Sequence, residues 1–195
     1  MIVQQYSARV ALPVVERERL LSLYRTRVNA YAGVDAEYGQ RWRNWCRMLV
    51  TFGGSLVVPP RNPEADLEAL LAGRSRSDSQ VHQVPADVGE CHRNVAVLWI
   101  DGAIESIGTG YALSDDGLWR QHSWGLASNG VLIETTDERR AHVGIVLPAR
   151  APSMQFAGSN AQEHLKAVVR QRGPRAVELI AMIRELANSG NARPS

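Results

Sequence analysis

Apolar and polar positions follow two different rhythms along this chain, and the change comes at Cys91. Before it the spacing is helical. Val14, Val15, Leu20, Leu21, Leu23 and Tyr24 stand among charges and predict a helix over Val14–Arg27, which Pro13 suits as a start. After a break near Gly33, the run VDAEYGQRWRNWCRMLVTF predicts a second helix. Its residues Trp42, Trp45, Cys46 and Leu49 recur at i, i+3, i+4 and i+7, one face of a helix. Gly53-Gly54 ends it, and SLVVPP reads as a short extended piece stopped by Pro59 and Pro60. A short helix is predicted over Pro63–Ala72, with Asn62 as its cap and Gly73 as its terminator. The polar run Gly73–Gln80, GRSRSDSQ, reads as an exposed loop and the one candidate linker.

From Cys91 onward, CHRNVAVLWIDG is apolar after its first turn and reads as a buried helix. A strand is the alternative, since Val, Ile and Trp favour sheets. Runs with strand character follow at Ile104–Ser114, Leu118–Leu126, Val131–Thr136 and Ala141–Leu147. Asp115-Asp116-Gly117 and Asn129-Gly130 are turn signals between them. Ala161–Ala187 returns to helix, interrupted at Gly173-Pro174, and NSGNARPS is expected to fray. The pattern predicts an α+β fold: a helical N-terminal region, a buried helix carrying Cys91 on a small antiparallel sheet, and C-terminal helices from residue 151 onward. The 195 residues are read as one domain. Its parts are a mostly helical 1–73, an exposed loop at 74–80, a helix-plus-sheet core at 81–150, and helices with a frayed tail at 151–195.

Composition narrows the function classes. With 45% hydrophobic and 22% charged residues, the chain has enough apolar surface for a real core. It has no apolar run of about 18 residues, so no membrane span is expected. The N-terminal residues lack a basic segment followed by a long apolar core, and the expected location is the cytoplasm. Net charge is +2, and of 22 basic residues only Lys166 is lysine. Arginine forks suit phosphate, but here they are interspersed with acids, and only Arg74–Ser77 is locally basic. Nucleic acid is therefore not an expected partner. There is no Walker A loop, no G-x-G-x-x-G, no Cys-x-x-Cys and no His-x-x-x-His, so no cofactor is expected. Nothing in the sequence marks an oligomeric state.

The chemistry lies in the cysteines and histidines. Cys46, on the tryptophan-rich helix face, reads as a small buried hydrophobe. Cys91 follows Pro85, Asp87 and Gly89, which delay helix formation until just before it. At a helix start, unpaired N–H groups and the helix dipole favour a thiolate, which is the nucleophilic form. Such a cysteine needs a base, and the base needs an orienting group. His92 is adjacent, and consecutive helical side chains diverge by about 100 degrees, so it is a poor partner. His82 falls in a loop, His164 on a mixed helix, and His142 at the start of a late strand. His122 sits mid-strand with Trp124 two residues on, on the same face, where the indole can shield the imidazole.

A cysteine at the head of an apolar helix, then His-Ser-Trp on a strand, then Ile-Glu-Thr-Thr on the next, resembles the core of transglutaminase-like proteins. These belong to the papain-like group of cysteine hydrolases and acyltransferases. The resemblance covers Gly89–Leu147 and implies Cys91 as nucleophile, His122 as base and Glu134 as orienting acid. It implies cleavage or transfer at an amide, isopeptide or thioester of a peptide, protein or small amide substrate. This chain departs from the pattern in two places. His92 stands where an aromatic residue is common, and Glu134 where aspartate is usual. Gln83, Asn94 and the Cys91 backbone N–H are candidate oxyanion donors. Two competing readings are a non-catalytic interaction module on the same scaffold, and a metal site of Cys91, His92, His122 and Glu134.

Strand parity tests the resemblance. Directly opposed residues of an antiparallel pair share a face. A two-residue turn at Asn129-Gly130 sets opposed numbers summing to about 259, which puts His122 opposite Asp137 and Glu134 on the wrong face. A three-residue loop, Ser128–Gly130, or a bulge at Gly125 brings His122 and Glu134 to one face. Asp137 is the alternative orienting acid under the tight turn.

Overall fold

In the computed structural model, which describes residues 12–32, 37–77, 80–148 and 150–191, seven helices and seven strands follow one another as α1 Val14–Ala32, α2 Tyr38–Thr51, β1 Leu56–Val57, α3 Leu67–Gly73, β2 Ser75–Ser77, β3 Val81–Gln83, α4 Cys91–Ile100, β4 Ser106–Leu113, β5 Leu118–Leu126, β6 Leu132–Glu134, β7 Ala141–Val146, α5 Ala151–Asn160, α6 Gln162–Arg170 and α7 Pro174–Asn191. This is the expected α+β class. The N-terminal residues up to Ala11, the break near Gly33 and the last residues of the expected frayed tail lie outside the described residues. No helix among those described is long and apolar enough to cross a membrane. The strands form one sheet in the order β2-β7-β4-β5-β6-β3, with β1 pairing β5. The sheet is mixed rather than antiparallel, because β1 and β3 join their neighbours in parallel. Both are short, two and three residues, and the periodicity of so few positions carries no register signal.

The chain folds as two compact units. The first gathers the residues up to Arg76 with Gly110–Gln121 and Glu138–Gly144. Its core is the predicted face of α2. Trp42, Trp45 and Leu49 are fully buried, and both indoles pack on Tyr111 with ring centroids 5.9 and 5.7 Å apart. Burying one large side chain stabilises by roughly 2–3 kcal/mol. Part of that is offset here, since neither indole N–H has a partner. Gly53 and Gly54, both at positive φ, end α2 as predicted.

Two expectations in this unit are corrected. The short helix starts at Leu67, not Pro63. The turn before it is used to turn Glu64 inward, where its carboxylate accepts from Tyr111 Oη and Gln121 Nε2, both at 2.9 Å. The Glu64 N–H donates to Tyr38 Oη at 2.5 Å. A buried carboxylate must find donors, and that need overrides the local helix signal. The expected loop at 74–80 contains β2, since an edge strand needs only one neighbour to pair with and no hydrophobic alternation.

The second unit comprises Ser77–Thr109, His122–Asp137 and the chain from Ile145. Its core is α4 packed on Ile104, Ile107, Ile133, Met154, Ala157 and Leu179. Val95, Ala96, Trp99 and Ile100 supply the inward face of α4, which resolves the helix-or-strand alternative as helix. Its C-terminal carbonyls are capped by a cation: Arg175 of α7 donates to Ile100 O at 2.8 Å and to Trp99 O at 2.6 Å. α5 was not marked by the periodicity of its residues, and α7 runs on through Asn188 to Asn191, where fraying was expected. The Ser128–Gly130 loop is the three-residue kind. Ala127 N–H donates to Val131 O at 2.9 Å, Gly130 N–H donates to Ala127 O at 2.9 Å, and Gly130 has φ 80°. That is a three-residue loop closed by a left-handed glycine. Opposed residues sum to 258, with Gly125 opposite Ile133 and Leu126 opposite Leu132.

Candidate active site

The site belongs to the second unit and is built from the start of α4, the middle of β5 and the end of β6. The segment before α4 turns at Asp87–Gly89, with Gly89 at φ 80° and Glu90 N–H on Asp87 O. The first helical hydrogen bond runs from Asn94 N–H to Glu90 O at 2.8 Å. Cys91 is thus the first residue of α4, as the sequence suggests, and it is 8% exposed. No side chain caps this helix start, which leaves its first N–H groups and the positive end of its dipole facing the site.

The parity of the hairpin carries His122 and Glu134 to one face. His122 is 2% exposed and Glu134 fully buried, and His122 Nε2 lies 2.8 Å from Glu134 Oε2. That contact leaves Nδ1 for the thiol, with which His122 is hydrogen-bonded. Cys91, His122 and Glu134 are therefore joined in one chain of hydrogen bonds. Asp137, the alternative acid, is exposed.

The Ile-Glu-Thr-Thr run explains how a charge is tolerated there. Glu134 Oε1 accepts from Thr135 N at 2.9 Å, Thr136 N at 3.0 Å and Thr136 Oγ1 at 3.0 Å. With His122 on the other oxygen, each of these partners offers a donor, as an acceptor-only group requires. Thr135 and Thr136 thus hold the acid in place, although in the sequence their only distinction is to stand directly after it.

Electrostatics separates the three titratable groups around the sulfur. Burial alone raises the Cys91 thiol, but its hydrogen bond with His122, the His122 charge and the Ser123 backbone N–H outweigh burial and lower it. Burial alone lowers His122, and the bonds to Cys91 and Glu134 reverse that and raise it to about 9. The two shifts together favour a thiolate facing an imidazolium. His92 goes the other way: burial, and then the charge of His122, lowers it to about 4, so the ring is neutral at pH 7. Its Nδ1 is 2.7 Å from Ser123 Oγ, which in turn donates to Thr109 Oγ1 at 3.3 Å. His92 thus faces Ser123, and the four-ligand metal set of Cys91, His92, His122 and Glu134 is not assembled around one point. The contacts of Ser123 and Thr109 went unpredicted; alternation places a serine between His122 and Trp124 on the opposite face but does not say what it meets.

The side-chain oxyanion candidates are engaged elsewhere. Asn94 Nδ2 donates to Asp87 O at 2.7 Å and ties the turn to α4. The Gln83 amide, oriented to satisfy its neighbours, donates to Thr136 O at 3.1 Å and Glu134 O at 3.2 Å. The Cys91 backbone N–H at the uncapped helix start remains. Trp124 is buried beside His122 on β5, its indole lying where a Cβ on Gly108 would come within 2.1 Å, so Gly108 admits the ring that a larger residue would displace. Of the remaining histidines, His82 is exposed on β3, His142 is buried on β7, and His164 Nε2 pairs with Asp101 at 2.7 Å. Cys46 lies in the first unit, lining a cavity of about 400 Å³ with Leu21, Tyr24, Val50 and Leu56. No family model, no curated protein and no solved structure matches the chain.

Proposed function

We propose that this protein is a cysteine-dependent hydrolase or acyltransferase, transglutaminase-like in its core, that acts on an amide, isopeptide or thioester bond. One observation carries the reading: a buried Cys91–His122–Glu134 hydrogen-bond chain whose cysteine starts a helix. Structural cysteines avoid charged partners, and buried histidines usually rest on a backbone carbonyl. Here both are spent on one another, in the arrangement that activates a nucleophile.

In this reading the Cys91 thiolate attacks the carbonyl carbon, and the carbon–oxygen π electrons move to oxygen. The Cys91 N–H at the start of α4 faces that oxyanion. When the tetrahedral species collapses, the bond to the leaving nitrogen or sulfur breaks, and His122 gives it the Nδ1 proton. A thioester on Cys91 remains. His122, now neutral, takes a proton from water or an acceptor amine as that group attacks, and the thiolate leaves as the imidazolium reforms. Glu134 keeps the ring turned toward sulfur throughout and stays ionised. Water as acceptor gives hydrolysis and an amine gives transfer.

The experiment is alkylation with an iodoacetamide probe at pH 6.5–7, together with turnover of a small thioester and a peptide anilide. Cys91 is expected to label far faster than a free thiol, and Cys91→Ala to abolish both labelling at that site and turnover. Labelling no faster than a free thiol, or turnover that survives the substitution, refutes the reading.

A further inference from the structure

We propose that His92 and Ser123 form a second latch between α4 and β5, one residue further along each element than the reactive pair, and that this latch positions the Cys91 sulfur. The inference rests on the function proposed above and assigns it two positioning residues. Cys91 meets His122 and His92 meets Ser123, the same separation of 31 residues in both contacts. Neighbouring side chains on a strand leave opposite faces, so the side chains of His122 and Ser123 point to opposite sides of β5. The first two residues of α4 grip both. The start of the helix therefore straddles the strand, with sulfur on one side and imidazole on the other.

Ser123 is the centre of this arrangement. Its backbone N–H donates to the Cys91 sulfur. That N–H is free to do so because β6 pairs with β5 only at Gly125 and Leu126. Its hydroxyl bonds His92 Nδ1 at 2.7 Å and donates to Thr109 on β4 at 3.3 Å. With the serine proton given to Thr109, His92 Nδ1 must carry the proton it shares with Ser123. The other side of the His92 ring meets Phe156 of α5 edge-on, with centroids 6.1 Å apart. Burial and the neighbouring His122 charge keep His92 neutral, so the latch does not titrate across the pH range in which the thiolate works. The contact also gives a physical reason for histidine at a position where an aromatic is common: an aromatic ring without a donor fills the space beside Phe156 but cannot hold Ser123.

The test reads the ionisation of Cys91 in the full chain by thiolate ultraviolet absorbance and by the pH dependence of iodoacetamide alkylation. Within the second unit, the charged or titratable groups named around the sulfur are His122 from β5, Glu134 from β6 and His92 on α4 itself, with exposed Glu90 and Arg93 near the helix start; α5 contributes Phe156. Cys46 is silent, because burial pushes its thiol up to about 12. Ser123→Ala keeps the backbone N–H and removes the hydroxyl, and His92→Phe keeps the ring and removes the donor. Each is expected to raise the Cys91 midpoint by about one unit and to slow alkylation about tenfold below it. The double variant is expected to match the singles, and His92→Asn, whose amide can donate from the Nδ1 position, to stay within about twofold of the wild type. A low wild-type midpoint that neither single variant moves overturns the latch alone. An ordinary wild-type midpoint overturns the proposed function and the latch with it. A residue needed only for folding would lower thermal stability in each variant while leaving the midpoint where it was.

Discussion

Cys46 and Cys91 both stand on tryptophan-bearing helices, and the same side chain has opposite chemistry in the two. Cys46 lies within α2, where every backbone N–H nearby is committed to the helix. Burial pushes its thiol up to about 12, and its one polar side-chain partner is the Tyr24 hydroxyl, itself raised to about 12. Cys91 opens α4, where N–H groups are unspent and His122 can share the proton. The buried acids repeat the contrast. Glu64 is surrounded by neutral donors of the first unit, and burial raises its carboxyl above the ordinary range, against the pull of Tyr111, the Asp66 N–H and Gln121. Glu134 faces a histidine that can carry charge. Cys91, Glu64 and Glu134 are buried and Cys46, expected to be buried, is half-buried; burial does not make a site. What differs is whether the neighbour can take a proton.

The largest expected effect tests that difference directly. At pH 7 a thiol with pKa about 12 exposes on the order of one thiolate in 10⁵, so Cys46 is expected to label negligibly beside Cys91. Cys91→Ala is expected to remove essentially all fast labelling and all turnover, and Cys46→Ala to leave both within about twofold. Fast labelling that disappears with Cys46 would invert the comparison. Next in size is the pair of acids. Glu134→Gln puts an amide N–H₂ against His122 Nε2–H, two donors facing, and the ring must change tautomer or orientation. Alkylation and turnover are expected to fall by on the order of 10²–10⁴, as when an orienting acid is replaced in other triads. Glu64→Gln is expected to leave both unchanged.

Glu64 also has a pH signature of its own. Its folded pKa is raised, so the native state holds the proton more tightly than the unfolded chain. Its contribution is complete below the unfolded value of about 4.5 and is lost as pH rises through the folded one. Wild-type thermal stability should therefore fall relative to Glu64→Gln between pH 4 and pH 7, with the two within about 1 kcal/mol at neutrality. For Cys91 and His122 the readout is rate. The proposed mechanism needs the thiolate, which appears below the usual cysteine range, and the imidazolium, which is lost near pH 9. A bell-shaped turnover profile is expected, with its falling limb near 9 and its rising limb on the acid side. A profile that rises monotonically through pH 9 would place both protons on groups other than this pair.

These contrasts mark how far the sequence could be read. Strong periodicity over long runs gave true element bounds: Leu118–Leu126 is β5, and the apolar run from Cys91 is α4. The meeting of Cys91, His122 and Glu134 was legible because each is chemically odd where it stands. Three things were not. Glu64 was hidden because inward carboxylates depend on donors 47 and 57 residues away, which no local pattern reveals. The role of His92 was hidden because helix geometry rules out its neighbour Cys91 but says nothing about Ser123 across the sheet. The mixed sheet was hidden because β1 and β3 are too short to show alternation. Parity stood between these extremes. The sequence reduced it to two loop lengths or a bulge at Gly125, and the bond from Ala127 N–H to Val131 O marks the longer loop.

The smallest expected effect separates the part of that loop that sets parity from the part that only stabilises it. Both hairpin loops of β5 have the same form. Ser114 N–H donates to Leu118 O and Gly117 N–H to Ser114 O, with Gly117 at φ 78°, as the Ala127–Val131 loop does with Gly130 at φ 80°. A Cβ at Gly130 meets nothing within 4 Å, so Gly130→Ala adds conformational strain and no clash. The cost of alanine in the left-handed region is about 1 kcal/mol, and Gly117→Ala should cost a similar amount. The loop remains three residues long in either variant, so His122 and Glu134 stay on one face. Thermal denaturation should show both losses while Cys91 alkylation at pH 7 stays at the wild-type rate. If Gly130→Ala slowed alkylation and Gly117→Ala did not, the register of β6 would depend on that single dihedral angle rather than on loop length and the burial of Leu132 and Ile133.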